Sequence, residues 1–148
     1  LYIQSEDMEV KNQHIQEKYK KIRENEVRYD EYKLDDAEIV ITSFGLTSRI
    51  CKKTVDIGRE KGLKIGLFRP ITAWPFPYDK VGELSGKENV KFFISVEMNA
   101  GQMVEDIRLA ACGRKPVHFY GRMGGIVPTP DEIFHEIEKV NKNSRSGQ

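Results

Sequence analysis

The residues best placed to do chemistry are three polar side chains around one short loop. Glu97 ends a run of mainly aromatic and β-branched residues, and Asn99 and Gln102 follow within five positions. From Met103 onward the apolar residues recur at helical spacing. This pattern predicts a strand, a loop and a helix, and ligands and partners bind such sheets at the loops that follow the strands. With no second acid or histidine nearby, Glu97 is not half of an acid–base pair, and we expect its carboxylate to accept backbone N–H groups of its own loop.

Two glycine-containing loops are further candidates. Gly45–Arg49 follows a predicted strand and could hold an anion on free N–H groups, although neither G-x-x-x-x-G-K-[ST] nor G-x-G-x-x-G is present. A tight turn with Thr47 as the helix N-cap is favoured over a phosphate site there. Gly121–Gly125 is favoured as a flexible surface loop over a nucleotide cradle, with Arg122 able to reach a carboxylate or phosphate on a partner.

The segment Ile71–Pro77 is a proline-stiffened loop directly after a predicted strand. Trp74 at its centre has Arg69 and Phe76 nearby. A tryptophan in such a loop either covers the core of its own domain or belongs to a preformed contact surface. The sequence leaves both alternatives open.

Other catalytic and metal-binding arrangements are excluded by spacing. The three histidines, His14, His118 and His135, belong to separate predicted elements, and neither metal-ligand spacing nor a Ser–His–Asp arrangement is recognisable. Cys51 and Cys112 fall in predicted helices beside small or apolar neighbours, so buried free thiols are favoured over a disulfide. We therefore assign no catalytic, cofactor-binding or metal-binding residue to this chain.

The elements that position these loops alternate between β and α. This order predicts an α/β fold with three layers, α/β/α, and a mostly parallel sheet of four to five strands, because strands joined through helices form right-handed crossovers. Thr129 is the expected N-cap of the last helix. The predicted strands are 37–43, 63–68, 90–97 and 117–120, and the predicted helices between and after them are 47–61, 78–85, 101–111 and 131–142.

The first 34 residues differ from the rest, being highly charged and without glycine or proline. A narrow apolar stripe predicts a helix over 5–25 that Ser5 can cap. We interpret residues 1–34 as a connector and 35–148 as the α/β domain, with self-association through the helix as a weaker alternative.

Composition sets further limits. The chain has 148 residues and a net charge of +1, which gives no electrostatic basis for binding nucleic acid. No apolar run approaches the roughly 20 residues that span a bilayer, so we expect a cytoplasmic protein without membrane contact. Because it begins at Leu1, we expect the chain to be a piece of a longer polypeptide.

Three motifs in order resemble the carboxy-terminal domain of the α-subunit of 2-oxoacid:ferredoxin oxidoreductases, a domain similar to the carboxy-terminal domain of transketolase. They are GLFRPITAWPFP at 66–77, VEMNAGQM at 96–103, and YGRMGG at 120–125 with its continuation PTP at 128–130. The resemblance covers about residues 36–140. The Met-Asn-x-Gly-Gln and Arg-Met-Gly-Gly forms are most like the members that act on branched-chain 2-oxoacids (2-oxoisovalerate) or 2-oxoglutarate.

The resemblance implies an enzyme that oxidatively decarboxylates a 2-oxoacid to acyl-coenzyme A and reduces ferredoxin. Thiamine diphosphate, Mg²⁺ and iron–sulfur clusters would be bound by other domains or by β-, γ- and δ-type subunits, because this chain has neither the Gly-Asp-Gly…Asn motif nor Cys-x-x-Cys runs. The resemblance implies that the present domain takes part in the assembly of domains and subunits, and a homodimer is a further possibility. Its interface or channel candidates are Arg69, Trp74, Phe76, Glu97, Asn99, Gln102 and Arg122. A small module that binds coenzyme A or another phosphate-bearing ligand is the alternative.

Overall fold

The β-branched and aromatic runs form five strands in one sheet. The computed structural model describes residues 4–146. The strands are β1 (Tyr29–Tyr32), β2 (Ile39–Thr42), β3 (Ile65–Pro70), β4 (Phe92–Glu97) and β5 (Val117–Gly121), in the spatial order β1-β3-β2-β4-β5. β1 runs antiparallel to β3 and all other pairs are parallel. Every residue of β2 and β4 is buried, as expected for central parallel strands covered on both faces.

The helices form a layer on each side of this sheet. They are α1 (Ser5–Asn25), α2 (Gly45–Glu60), α3 (Tyr78–Gly86), α4 (Met103–Ala111) and α5 (Pro130–Ser146). α2 and α5 pack on one face, in a core that contains Ile41 and Phe92, while α3 and α4 pack on the other, with Val40 and Phe93. The predicted three-layer α/β/α architecture with a mostly parallel sheet is therefore confirmed.

One strand was not predicted from the sequence. β1 lies inside the segment 1–34 that we interpreted as a connector, and it adds an antiparallel edge to the sheet through pairs such as Asp30 with Arg69. Its four residues, YDEY, are short, polar and mostly exposed, so only their pairing with β3 reveals them as a strand. Leu34, just after β1, is buried in the core. The division of the chain at residues 34 and 35 stays a prediction.

The predicted charged helix is present with the expected bounds as α1, and none of its residues is buried. Ser5 does not cap it, because Gln4 occupies the N-cap position and makes no side-chain capping bond. With only a narrow apolar stripe, α1 gains little from packing on the domain.

Three local expectations were wrong. Thr47 lies inside α2, whose N-cap position is taken by Phe44, because Gly45 turns the chain with a φ of +60° two residues earlier than expected. α5 continues beyond the predicted end at residue 142, as far as Ser146. Cys112 is exposed rather than buried, because α4 ends at Ala111 and Cys112 adopts the left-handed conformation outside the helix.

The two cysteines therefore differ sharply in reactivity. Burial in the core raises the pKa of the Cys51 thiol to about 12, whereas Cys112 is at the surface. Because the thiolate is the reactive form, we expect a maleimide at pH 7.5 to label one thiol per native chain and both thiols in denaturant. Mass spectrometry after labelling counts them, and the variant Cys112→Ser serves as the control, since it should remain unlabelled until it is unfolded.

Candidate functional site

The centre of the site is a buried carboxylate at the end of β4. The Glu97 side chain is only 1% exposed. Its Oε2 accepts the N–H groups of Gln102 at 3.1 Å and Met103 at 2.9 Å. Its Oε1 accepts the Val104 N–H at 2.9 Å and the Ser95 hydroxyl at 3.0 Å. The first turn of a helix has unpaired N–H groups that favour negative charge, so Glu97 caps α4 from the neighbouring strand, and the structural role predicted for it is confirmed.

A second side chain holds the loop between β4 and α4. The Asn99 Oδ1 accepts the Gly101 N–H at 2.7 Å, and the Asn99 amide lies 3.5 Å from the Gln102 Oε1. Gly101 has a φ of +104°, a conformation that residues with a β-carbon rarely adopt. The loop is thus fixed from both ends, and it presents the half-buried Asn99 and the exposed Gln102 at the edge of the sheet.

Arg122 joins this loop to the end of β5. Its backbone N–H donates to the Glu97 carbonyl at 3.1 Å, and its guanidinium lies 3.2 Å from the Glu132 carboxylate. The backbone N–H of Thr129, and secondarily the charge of Arg122, hold the pKa of Glu132 below its ordinary value. The Arg122 side chain that the sequence offered to a partner's anion is therefore already paired within the domain.

Thr129 caps the start of α5, as the sequence indicated, and Glu132 makes this cap reciprocal. The Thr129 N–H donates to the Glu132 carboxylate at 2.8 Å, and the Glu132 N–H donates to the Thr129 Oγ1 at 3.2 Å. We expect Thr129→Ala to lower the free energy of unfolding by about 1 kcal/mol, measured by urea titration at pH 7. Thr129→Ser keeps the hydroxyl and should match the parent, and equal losses in both variants would contradict the assignment.

The remaining candidates follow β3. Arg69 pairs with Asp30 of β1 at 2.9 Å. Phe76 is 7% exposed and belongs to the core beneath α3 and α4, whereas Trp74 is 51% exposed. The Trp74 ring contacts Tyr19 of α1 in an edge-on arrangement, with ring centres 5.3 Å apart. The loop tryptophan therefore holds α1 against the domain while half of its surface stays open.

The structure brings together four of the seven candidates and separates the other three. Glu97, Asn99, Gln102 and Arg122 form one cluster at the carboxyl ends of β4 and β5. Arg69, Trp74 and Phe76 are at or after the end of β3, on the far side of β2.

An apolar surface at this edge has no recognisable signal in the sequence. We call it the apolar rim, and its exposed residues are Phe44 and Leu46, directly after β2, and Met123, Ile126 and Val127, after β5. Neither helical nor strand periodicity could reveal them, because most lie in loops where apolar residues follow no repeat. Several exposed apolar residues at one end of a sheet are typical of a surface that contacts another protein.

The cluster of Glu97, Asn99, Gln102 and Arg122 suits contact with another protein better than it suits binding of a metal ion or a phosphate. Within residues 4–146, no three or more His, Cys, Asp or Glu side chains are close enough to bind a metal ion, and no helix is both long and apolar enough to cross a membrane. The first N–H groups of α4, which would attract a phosphate, are already bonded to Glu97. The arrangement offers fixed loops and apolar side chains, which suit contact with another folded surface.

Comparison with known proteins decides the family. Residues 37–133 match the model for pyruvate:ferredoxin oxidoreductase core domain II. The chain belongs to this family. The family resemblance inferred from the three motifs is thus confirmed. The relatives that the chain matches are subunits of ketoisovalerate oxidoreductase and of 2-oxoglutarate synthase.

Two relatives of this chain are much longer than the chain itself. The chain is 43% identical over 144 residues to the ketoisovalerate oxidoreductase subunit VorB of Methanothermobacter thermautotrophicus, covering 97% of this chain and 40% of VorB. It is 35% identical over 103 residues to the 2-oxoglutarate synthase subunit KorA of Methanothermobacter marburgensis, covering 70% of this chain and 27% of KorA. The chain therefore spans about 40% of the length of VorB.

A solved structure has the same fold as this core domain II. It is the 2-oxoglutarate:ferredoxin oxidoreductase from Magnetococcus marinus with 2-oxoglutarate, coenzyme A and succinyl-CoA bound. The match has a TM-score of 0.79 at 19% identity and covers 93% of this chain and 24% of that chain. At this identity the similarity establishes the fold alone.

Proposed function

We propose that this core domain II is a non-catalytic assembly domain of the α-subunit of a 2-oxoacid:ferredoxin oxidoreductase, with its carboxyl edge docked on other parts of the enzyme. The observation that carries the proposal is the buried Glu97, which fixes the loop beside the apolar rim before any partner arrives. Fixed loops lose little conformational entropy on binding, and apolar side chains gain by leaving water. This surface therefore supports docking.

The whole enzyme would convert a branched-chain 2-oxoacid and coenzyme A to an acyl-coenzyme A while reducing ferredoxin. Support for this substrate class is the identity of 43% and 44% to two ketoisovalerate oxidoreductase subunits, against 33–36% to three 2-oxoglutarate synthase subunits. The partners would be the remaining domains and the β-, γ- and δ-type subunits, with ferredoxin contacting the whole complex. A homodimer of the assembled subunit is compatible with this arrangement.

The residues present do not fit the cofactors that this family implies. An iron–sulfur cluster requires several cysteine thiolates at one place, whereas Cys51 is buried in α2 and Cys112 is exposed after α4. The acids at the carboxyl edge are already bonded, Glu97 to backbone N–H groups and Glu132 to Arg122. We therefore derive no reaction step on this chain.

Co-expression with the remaining domains of the α-subunit and with the other subunits of the oxidoreductase from the same genome tests this proposal. We expect the tagged chain to retain those subunits, and we expect 2-oxoisovalerate- and coenzyme A-dependent viologen reduction only from the complex. Met123→Asp and Ile126→Asp on the apolar rim should lower retention at least tenfold. Leu109→Asp, at an even more exposed apolar residue far along α4, is the control that should not lower retention. Turnover by the chain alone, or full retention of both rim variants, would contradict the proposal.

Calorimetry separates the alternative function. A module that binds coenzyme A should take up the free ligand with a dissociation constant below about 10 μM, equivalent to about −7 kcal/mol. The assembly domain should show no such heat, because Glu97 already occupies the N-terminus of α4.

A further inference from the structure

The two edges of the sheet are protected very differently. At one edge, β1 carries the exposed charges of Asp30 and Glu31. At the other, β5 has the sequence VHFYG, with no acidic residue, lysine, arginine or proline, and all five residues are partly exposed. Natural proteins place charges or prolines on open edges because unpaired backbone groups recruit further strands. Within the described residues, no strand covers the outer side of β5.

The hydrogen bonds to β4 identify the backbone groups of β5 that point outward. The Phe93 N–H donates to the Pro116 carbonyl at 2.9 Å, and the Arg122 N–H donates to the Glu97 carbonyl at 3.1 Å. Backbone groups of a strand alternate in direction from one residue to the next, so residues 116, 118, 120 and 122 face β4. The N–H and C=O groups of Val117, Phe119 and Gly121 consequently point away from the sheet.

We propose that β5 is a self-association edge, at which β5 of a second copy of this chain pairs with it in antiparallel orientation. The pattern of outward groups favours a second copy because it is symmetric about Phe119. With Phe119 opposite its own counterpart, Val117 faces Gly121 of the second copy, and every outward N–H meets an outward C=O. The two five-stranded sheets become one continuous sheet around a two-fold axis.

The side chains support this register. On the face covered by α5, His118 of one copy lies opposite Tyr120 of the other, which forms two symmetric aromatic cross-strand pairs. β5 has no acidic or basic side chains other than His118, so this pairing brings no like charges together. A pairing of β1 with itself would place the acidic side chains of Asp30 and Glu31 close to each other. This inference goes beyond the proposed assembly function, which concerns the apolar rim and other subunits.

Amide hydrogen exchange of the unaltered chain, followed by NMR across a protein concentration series, tests the register. We expect the Phe119 and Gly121 N–H groups to exchange at least tenfold more slowly at the highest concentration, in step with a dimer mass from analytical ultracentrifugation. His118 and Tyr120 should be equally protected at all concentrations, because they bond to β4. A monomer throughout the series, or a dimer in which Phe119 and Gly121 are unprotected, overturns the proposal.

Proline substitution provides a matched pair of variants. Val117→Pro removes an outward N–H and should raise the dimer dissociation constant at least tenfold, since edge strands tolerate proline only where the N–H is unused. The control is Tyr29→Pro, which removes an outward N–H of β1. Arg28 faces β3, because its carbonyl accepts the Ile71 N–H at 2.9 Å, and the next residue, Tyr29, therefore points away from β3. The control should dimerise like the parent. The proposal is overturned if Val117→Pro, shown folded by circular dichroism, dimerises as strongly as the parent, or if only the Tyr29 variant dissociates.

Discussion

Replacing Glu97 by glutamine will lower the free energy of unfolding by about 3 kcal/mol, because the carboxylate is buried and all of its acceptor positions are used. Both oxygens accept hydrogen bonds, from three backbone N–H groups at and just before the start of α4 and from the Ser95 hydroxyl. Glutamine keeps one acceptor oxygen and turns an NH₂ group toward donors. At least one buried N–H then loses its partner, and the negative charge at the helix N-terminus disappears.

Urea titration of the Glu97→Gln variant measures this loss, and amide exchange at Met103 and Val104 reports whether the first turn of α4 frays. The matched control is Glu105→Gln, the same chemical change on the same helix. Glu105 is exposed and pairs with Arg108 at the surface, so the control should change stability by less than about 0.5 kcal/mol. A loss below 1 kcal/mol at Glu97 would mean that its carboxylate is not what holds the loop.

The second large effect is expected at Gly121, where the loop after β4 leaves no room for a side chain. A β-carbon at this position would lie 2.5 Å from the carbonyl oxygen of Asn99 and would also overlap the Phe119 ring. The carbonyl belongs to a loop that Glu97 and Asn99 already hold, so it cannot move without breaking those bonds. We expect Gly121→Ala to cost about 2 kcal/mol, within the usual range for overpacking a fitted site.

The control for Gly121→Ala is the same substitution at Gly86, the last residue of α3. A β-carbon there meets no atom within 4 Å, and alanine reduces the freedom of the unfolded chain. Gly86→Ala should therefore be neutral or stabilise the protein by about 0.5 kcal/mol. Thermal unfolding of both variants gives the comparison, and equal effects of the two would show that the clash at Gly121 is relieved by movement of the loop.

The sequence predicted most of the architecture because the central strands are continuous apolar runs. β2 and β4 are buried along their entire lengths, so their β-branched and aromatic residues identify them without any knowledge of their neighbours. β1 has no such signal, since its polar residues are strand-like only through pairing with β3. The start of α2 was predicted wrongly for a related reason, because a turn at Gly45 and not a capping residue at Thr47 decides where the helix begins.

In the candidate site, too, some roles could be predicted from the sequence and others required the fold. The role of Glu97 followed from an acid placed between a buried strand and a helix, which is local information. The pairing of Arg122 with Glu132 and the contact of Trp74 with α1 required the fold, because each joins side chains of different elements.

By itself, the sequence determined the layered α/β fold, the family and the anchoring carboxylate, because each depends on the order and periodicity of neighbouring residues. Only the tertiary structure decided which side chains remain free, which edge of the sheet is unprotected, and that apolar residues after β2 and β5 are exposed at the same end of the sheet. Those properties depend on which residues are neighbours in space, and the spacing of residues along the chain does not reveal those neighbours.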